Sequence, residues 1–326
     1  METLDTTTTA AALLLDAHAP RFCGRRADRN GVQRTLPQVV GHRGYPAKYA
    51  ENTIAGFIAA VEAGADGIET DVHVSADNIV VISHDPHTKR VFGSDTGPIA
   101  TRKYYGDLDA LRTLKEPHSP MPLLRDVLEL FVSNPLFASK WLCIDVKAEN
   151  GVDVIEAVAK TMKDVKDDMD FWETRVVLGI WLTKFLPKVM QFLPTIPIMH
   201  IGADAVYARQ FLDYPTIVGF SLLTISLYSR DGYTLIRDAR AAHKGIYAWT
   251  VRDDESMRLC AALQLDAVLA DDSAACFRVL EQDVHTLGAN PERDAELVLS
   301  LGTKTKYYVL GAILRLAMPF IRRRFE

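Results

Sequence analysis

Several short segments of this 326-residue chain gather side chains that can move protons, hold a cation or neutralise an anion. The segment GHRGYPAKYAENT, residues 41–53, sets His42 beside Arg43, a proton-transfer group next to a fixed cation. Gly41 and Gly44 permit close backbone approach there, and Asn52 or Thr53 can cap a following helix. Glu69 and Asp71 stand two apart inside an apolar run. Burying them is costly unless they are compensated, either by salt bridges or as oxygen ligands of a hard cation such as Mg²⁺ or Ca²⁺. His84-Asp85 closes the run IVVIS; it reads as a second proton-transfer group or as a satisfied core histidine, while His87 reads as exposed. Asp145 and Lys147 end WLCIDVK and alternate onto one face, either as an ion pair or as a further metal ligand beside an oxyanion stabiliser. Trp249, ending GIYAW, suits core packing or an apolar wall for the carbon part of a substrate. Asp271 and Asp272 read as helix N-caps.

Positioning these groups is a matter of strands. Apolar β-rich runs at 38–41, 67–72, 79–83, 141–146, 176–180, 196–201, 217–221, 245–250 and 267–270 alternate with helical patterns such as 53–63 and 152–162. Near-continuous apolar strands alternating with helices predict a parallel sheet covered by helices, and the spacing fits a (β/α)₈ barrel. The nine runs exceed the eight places. Residues 75–78 are too few for a crossover helix, so 67–74 and 79–83 are expected to form an antiparallel hairpin. Pairing Val74 with Ile79 sets His84 against Glu69, and a two-residue slip sets it against Asp71. Either register brings an imidazole to the two carboxylates, and in a βα barrel the strand ends form the mouth where active sites are built.

Apolar residues are 48% and charged residues 24%, a globular balance, with a net charge of −5. Neither a general positive excess nor an aromatic platform marks a nucleic-acid site. The four cysteines lie far apart without a CxxC pair, which argues against a thiolate zinc site and a disulfide framework. No basic n-region with a long apolar run opens the chain, and no long uncharged apolar stretch predicts an ordinary membrane span. Residues 1–36 are expected to be a mostly disordered extension, with a short helix possible at 10–17. Residues 37–284 are expected to form the barrel, and 285–326 a linker and tail. In that tail, 307–321 is about 22 Å long as a helix, too short for one straight span. Arg315 and Arg322 share a face and Arg322–Arg324 adds a basic cluster. The pattern suits a helix lying on anionic lipid; packing on the barrel and a shallow re-entrant hairpin with LVLSLG are the alternatives.

Taken together, HRG (42–44), ENT (51–53), ExD (69–71), HD (84–85), the acid-x-Lys pair (145–147), WTV (249–251) and LDAVLADD resemble the glycerophosphodiester phosphodiesterase family over about residues 38–277. The opening and the long tail look most like its fungal branch containing phosphatidylglycerol phospholipase C. The resemblance implies a TIM barrel of the phospholipase-C-like type, a divalent metal and phosphodiester cleavage. It implies His42 and His84 as the acid/base pair, Glu69, Asp71 and Asp145 as metal ligands, and Arg43 and Lys147 as phosphate contacts. The family usually has glutamate at Asp145, so the shorter side chain is expected to reach the metal through water; Ala50 replaces a common proline. The implied partners are a phospholipid or glycerophosphodiester substrate and, through the tail, a membrane surface, with no nucleic acid. The implied location is intracellular, peripheral or monotopic on a cytosol-facing membrane of the endoplasmic reticulum, lipid droplet or mitochondrion. A lysophospholipase D, a sphingomyelinase D-like enzyme or a soluble-substrate phosphodiesterase is the enzymatic alternative. A barrel that binds headgroups without cleaving them would lack a catalytic group, and only Asp145 is shortened.

Overall fold

The computed structural model describes residues 22, 26–27, 35–94, 96–282 and 291–325. Its frame is β1 (Gln38–His42), β2 (Gly67–Val74), β3 (Val80–Ile82), β4 (Trp141–Val146), β5 (Val176–Ile180), β6 (Ile198–Gly202), β7 (Ile217–Leu223), β8 (Gly245–Val251) and β9 (Ala267–Ala270). All except β3 run parallel, each paired with its neighbours around the ring, and β9 returns to pair with β1, so eight strands close the expected (β/α)₈ barrel. Helices such as Ile54–Glu62 and Val154–Val165 cover it, the second burying Val154, Ile155, Val158 and Met162 on one face. The barrel interior holds Val40, Trp141, Cys143, Val177, Met199 and Tyr247. Trp141 lies so close to β2 that a Cβ on Gly67 would sit 2.5 Å from its ring.

The ninth run is β3, antiparallel to β2 as the short linker required. Its register differs from both expected ones: Val72 faces Ile82 and Val74 faces Val80. The cause is the turn. Ser75 N–H donates to the Ile79 carbonyl (2.9 Å), leaving a three-residue loop that ends on Asn78 at φ 61°. A three-residue hairpin loop needs that left-handed residue, and asparagine tolerates it. His84 is therefore placed by the backbone beyond β3, not by a ladder partner. Ser83 N–H donates to the Asp71 carbonyl (3.0 Å), and His73 Nε2 contacts the His84 carbonyl (3.3 Å).

The expectation that residues 1–36 lie outside the fold needs correction where the chain is described. Phe22 is fully buried at the base of the barrel, edge-on to Trp141 at 6.1 Å, with its carbonyl accepting from the Tyr247 hydroxyl. An open apolar barrel end calls for a plug, and an aromatic ring fills it. Arg26–Ala27 and Thr35–Leu36 pair as a short antiparallel ribbon. The helix expected at 10–17 lies outside the described residues. Residues 291–294, expected as linker, begin the helix Pro291–Val298, which buries Ala295 in the core.

The tail helix is Leu301–Arg323, about 34 Å long and capped by Ser300, whose hydroxyl accepts from Thr303 N–H (3.3 Å). It packs on the barrel, so LVLSLG forms no re-entrant hairpin: its first residues end one helix and its last begin the next. Arg315 and Arg322, expected on one face of the helix, meet acids on the barrel rim. Arg315 Nη2 is 2.7 Å from Asp231, and Arg322 Nη1 is 3.9 Å from Asp204. Among the described residues no helix is long and apolar enough to cross a membrane.

Candidate active site at the barrel mouth

The turn after β1 is bent by two left-handed residues, Arg43 at φ 55° and Gly44 at φ 87°. A Cβ on Gly44 would lie 2.9 Å from the Gly56 backbone, so only glycine lets this turn meet the helix Ile54–Glu62. The turn aims Arg43 N–H at Glu69 Oε2 (2.8 Å). The three residues of ENT then have separate tasks. Glu51 binds Arg43 (3.1 Å) and, bidentately, Arg90 (2.6 and 2.7 Å). Asn52 donates to Asp71 Oδ2 and accepts from the Thr70 hydroxyl, both at 2.8 Å. Thr53 caps the helix through Gly56 N–H (3.2 Å). Of the two expected caps, Thr53 is the cap and Asn52 positions a carboxylate.

Glu69, Asp71 and Asp145 converge: one oxygen of each lies within 4.8 Å of the others, all buried. Pairing of Asp71 with Asp145 across β2 and β4 produces this. Asp145 thus reaches the cluster with its own carboxylate despite being one methylene shorter than glutamate. Lys147 Nζ stands 2.6 Å from both Asp71 Oδ1 and Asp145 Oδ2, Arg43 Nε 3.5 Å from Asp71, and Trp181 Nε1 donates to Asp145 Oδ1 (2.8 Å). Burial would raise Asp71, but Lys147, Arg43 and His84 outweigh it and hold it below the usual carboxylate range. Glu69 goes the other way, pushed well up by burial and by Asp71. Lys147 is seated on Asp71 and Asp145, and Glu69 is the acid left without a close cation to hold it ionised. An oxygen-only donor set with a lysine ammonium already seated in it fits a hard divalent cation held by Glu69, Asp71 and Asp145.

The two histidines flank this cluster with the same architecture. His42 Nδ1 donates to Asp271 Oδ1 (2.7 Å), whose other oxygen accepts from Arg252 Nε (2.6 Å). His84 Nδ1 donates to Asp85 Oδ1 (2.7 Å), whose other oxygen accepts from Arg90 Nε (2.6 Å). Each Nδ1 is committed, so each Nε2 is the nitrogen that exchanges protons. Both imidazoles lie within electrostatic reach of Asp71. Burial, helped by Arg43 and opposed by the Asp271 hydrogen bond, lowers His42. Arg90 and His84 overcome burial and bring Asp85 down to about 2. Trp249 is half-buried; its Nε1 donates to the Ser221 carbonyl (3.0 Å) and its ring meets Trp181 edge-on at 5.6 Å, so it packs against the mouth-lining Trp181.

Asp271 is the residue that sequence reasoning assigned elsewhere. Asp272, not Asp271, does the capping, accepting from Ala275 N–H and the Tyr45 hydroxyl, both at 2.9 Å. The signal was barrel closure: β9 pairs Ala270 with Gly41, so the next residue comes beside His42. Arg252, Arg90 and Trp181 carried no sequence signal of comparable strength.

Residues 42–275 match the model of the glycerophosphoryl diester phosphodiesterase family. Among relatives, a human lysophospholipase D (GDPD1) is 34% identical over 191 residues, 48% of this chain and 59% of its own length. The rat and mouse counterparts are covered over 43% of theirs, so the chain spans about half the length of these mammalian relatives. A glycerophosphodiester phosphodiesterase of Caldanaerobacter subterraneus is 25% identical over 75% of this chain and 98% of its own. The fold is shared with a putative glycerophosphoryl diester phosphodiesterase from Silicibacter pomeroyi (TM-score 0.65, 18% identity, 79% of this chain and 95% of that one). It is shared also with an Oleispira antarctica phosphodiesterase solved with its product sn-glycerol-3-phosphate (TM-score 0.64, 21% identity, 76% and 98%). Matching motifs, a closed barrel and a family model covering most of the chain agree that it belongs to the glycerophosphoryl diester phosphodiesterase family.

Proposed function

We propose that this chain is a metal-dependent phosphodiesterase that cleaves phosphatidylglycerol to diacylglycerol and glycerol phosphate, in the manner of a phospholipase C. The carrying observation is the pair of aspartate-held imidazoles around one carboxylate–cation cluster, at a mouth that opens into an apolar cleft. A diester monoanion repels nucleophiles, and Arg43 and Lys147 offset that charge. Glu69, Asp71 and Asp145 would hold a divalent ion, Mg²⁺ or Ca²⁺, which would add Lewis-acid charge to that of the two cations. One histidine takes the proton of the nucleophile while the other protonates the leaving oxygen, each transfer contributing about 10²–10⁴-fold. The headgroup's own 2-hydroxyl is already adjacent and serves as nucleophile. Its oxygen bonds to phosphorus as the bond to the diacylglycerol oxygen breaks. Water then opens the cyclic glycerophosphate with the histidines in exchanged roles.

The tail supports a lipid substrate: Leu301, Tyr308, Val309, Ile313, Leu316 and Phe320 are exposed on its outer side. We assign that side to a membrane surface and place the protein, as a peripheral or monotopic one, on a cytosol-facing membrane. One observation favours a second reading, lysophospholipase D activity: the name carried by the 34%-identical human relative. Incubating the full chain with phosphatidylglycerol, lysophosphatidylcholine and glycerophosphocholine, with and without chelator, and identifying products separates the readings. Chelator-sensitive diacylglycerol plus glycerol phosphate supports the first. Lysophosphatidic acid plus choline moves the assignment to the second, and no turnover with Mg²⁺ or Ca²⁺ overturns both.

A further inference from the structure

Beside the carboxylate cluster the barrel mouth opens into a cavity of about 260 Å³. One end is polar, made by His84, Asp85 and Lys147. The rest is largely apolar, and its outer wall comes from the far end of the tail helix, where Met318, Ile321 and Phe325 face Leu182, Ile201 and Tyr207 on the barrel. This wall is built into the fold. Lys184 Nζ donates to the Phe325 carbonyl (2.8 Å) and to the Ala148 carbonyl (2.7 Å), tying the end of the chain to the loop that follows Lys147. The Arg322 guanidinium stacks over the Tyr207 ring at 4.2 Å and meets Asp204 beneath it. Below them His200 is buried and stacked on Phe211 at 4.1 Å. Burial pushes its pKa down to about 3, so the floor of the cavity is uncharged at neutral pH.

We infer that this cavity is a hydrocarbon subsite and that the tail helix, through Met318, Ile321 and Phe325, is a specificity element of the active site. The occupant is an acyl chain on the group esterified to the phosphate. The inference rests on the phosphodiesterase reading above and deepens it. The argument is one of continuity and chemistry. A substrate phosphate at Lys147 and His84 lies at the polar end of this apolar cavity, and a glycerol or choline would leave the rest of it wet. A hydrocarbon chain there buries apolar surface on both sides, at about 25 cal/mol for each Å² removed from water. The volume is near the lower end of small-molecule pockets, suited to one chain and not to a bulky polar group.

The test uses substrates that stay monomeric, so that membrane recruitment plays no part. Dihexanoyl phosphatidylglycerol below its micellar concentration is compared with its deacylated counterpart, glycerophosphoglycerol. The full chain should prefer the acylated diester in kcat/KM. Ile321→Asp, at a half-exposed position, should lower the acylated-to-deacylated ratio at least tenfold, chiefly through KM. Phe320→Ser, one residue away on the outer side, should leave the ratio as it is. An unchanged ratio in both Ile321→Asp and Met318→Asp overturns the inference. A second measurement is independent of turnover: 11-bromoundecyl phosphate in the cavity should saturably quench Trp181, and Ile321→Asp should weaken this at least tenfold. Quenching without hydrolysis of either diester keeps the subsite and refutes the phosphodiesterase reading. Absence of saturable quenching refutes the subsite whatever the enzyme cleaves.

Discussion

Replacing Asp271 by asparagine isolates the contribution of the residue that orients His42. The 2.7 Å contact from His42 Nδ1 is a hydrogen bond to a charged acceptor, and that acceptor is itself fixed by Arg252 at 2.6 Å. Hydrogen bonds to charged groups contribute about 1.5–3 kcal/mol. If that energy is expressed in stabilising the imidazolium formed during turnover, kcat should fall about 10- to 160-fold, at 1.36 kcal/mol per factor of ten. KM should change little, since Asp271 holds the histidine and not the substrate. The pH profile adds a readout that a purely structural role would not move. Asp271 raises the His42 pKa against burial, so its loss lets burial prevail and lowers that pKa further. The limb of the kcat/KM profile that reports His42 should move to lower pH, whichever proton step His42 performs. Asp272→Asn is the control. It keeps a capping side chain, since asparagine caps about as well as aspartate, removes only the charge that accepts from the Tyr45 hydroxyl, and should leave both stability and the pH profile nearly in place. Steady-state kinetics on glycerophosphoglycerol from pH 5 to 9 decide the matter. A wild-type kcat with an unshifted profile in Asp271→Asn would refute the reasoning.

Three further outcomes are expected. Mg²⁺ or Ca²⁺ at about 100 times its Kd should stabilise the fold by about 2.7 kcal/mol and, at the unfolding entropy of a chain of this length, raise Tm by about 4 °C in a thermal-shift titration. Asp145→Asn should remove most of that rise, and an undiminished rise would place the ion elsewhere. The neutral buried His200 binds fewer protons folded than unfolded, because its pKa is lowered to about 3. Its effect is therefore absent above the unfolded value near 6.5 and destabilises as pH falls below it, by about 2 kcal/mol at pH 5. Denaturant titrations of His200→Phe should lose that part of the acid sensitivity; equal pH dependence in both proteins would contradict it. Finally, Leu316→Asp combined with Phe320→Asp should reduce pelleting with phosphatidylglycerol vesicles at least tenfold without lowering Tm, and unchanged pelleting would remove the outer side of the tail helix from membrane contact.

Much of this arrangement is written in short-range pattern. Apolar strands alternating with helices dictated the barrel, and a four-residue gap forced the β2–β3 hairpin. Carboxylates two apart in β2 had to share a face, and Asp145 had to join them once β4 lay alongside. What escaped the sequence depends on closure and on local turn geometry. Asp271 looked like a cap because its partnership with His42 exists only after β9 meets β1, over 200 residues away in the chain. Asn52 looked like a cap because nothing local shows that its backbone is left-handed and its amide turned to Asp71. The hairpin register was missed by one residue because Asn78 tightens the loop. The ion pairs of the tail arginines were not legible, since their acidic partners Asp204 and Asp231 belong to distant loops that spacing does not connect to them.

The most direct test of the whole account is the turnover of glycerophosphoglycerol by the full chain in Mg²⁺ or Ca²⁺, with His42→Ala and His84→Ala measured beside it. Circular dichroism checks that each variant keeps its fold. Two-histidine acid/base catalysis expects each substitution alone to lower kcat by at least 10²-fold. Folded variants that turn over the diester at the wild-type rate would contradict it.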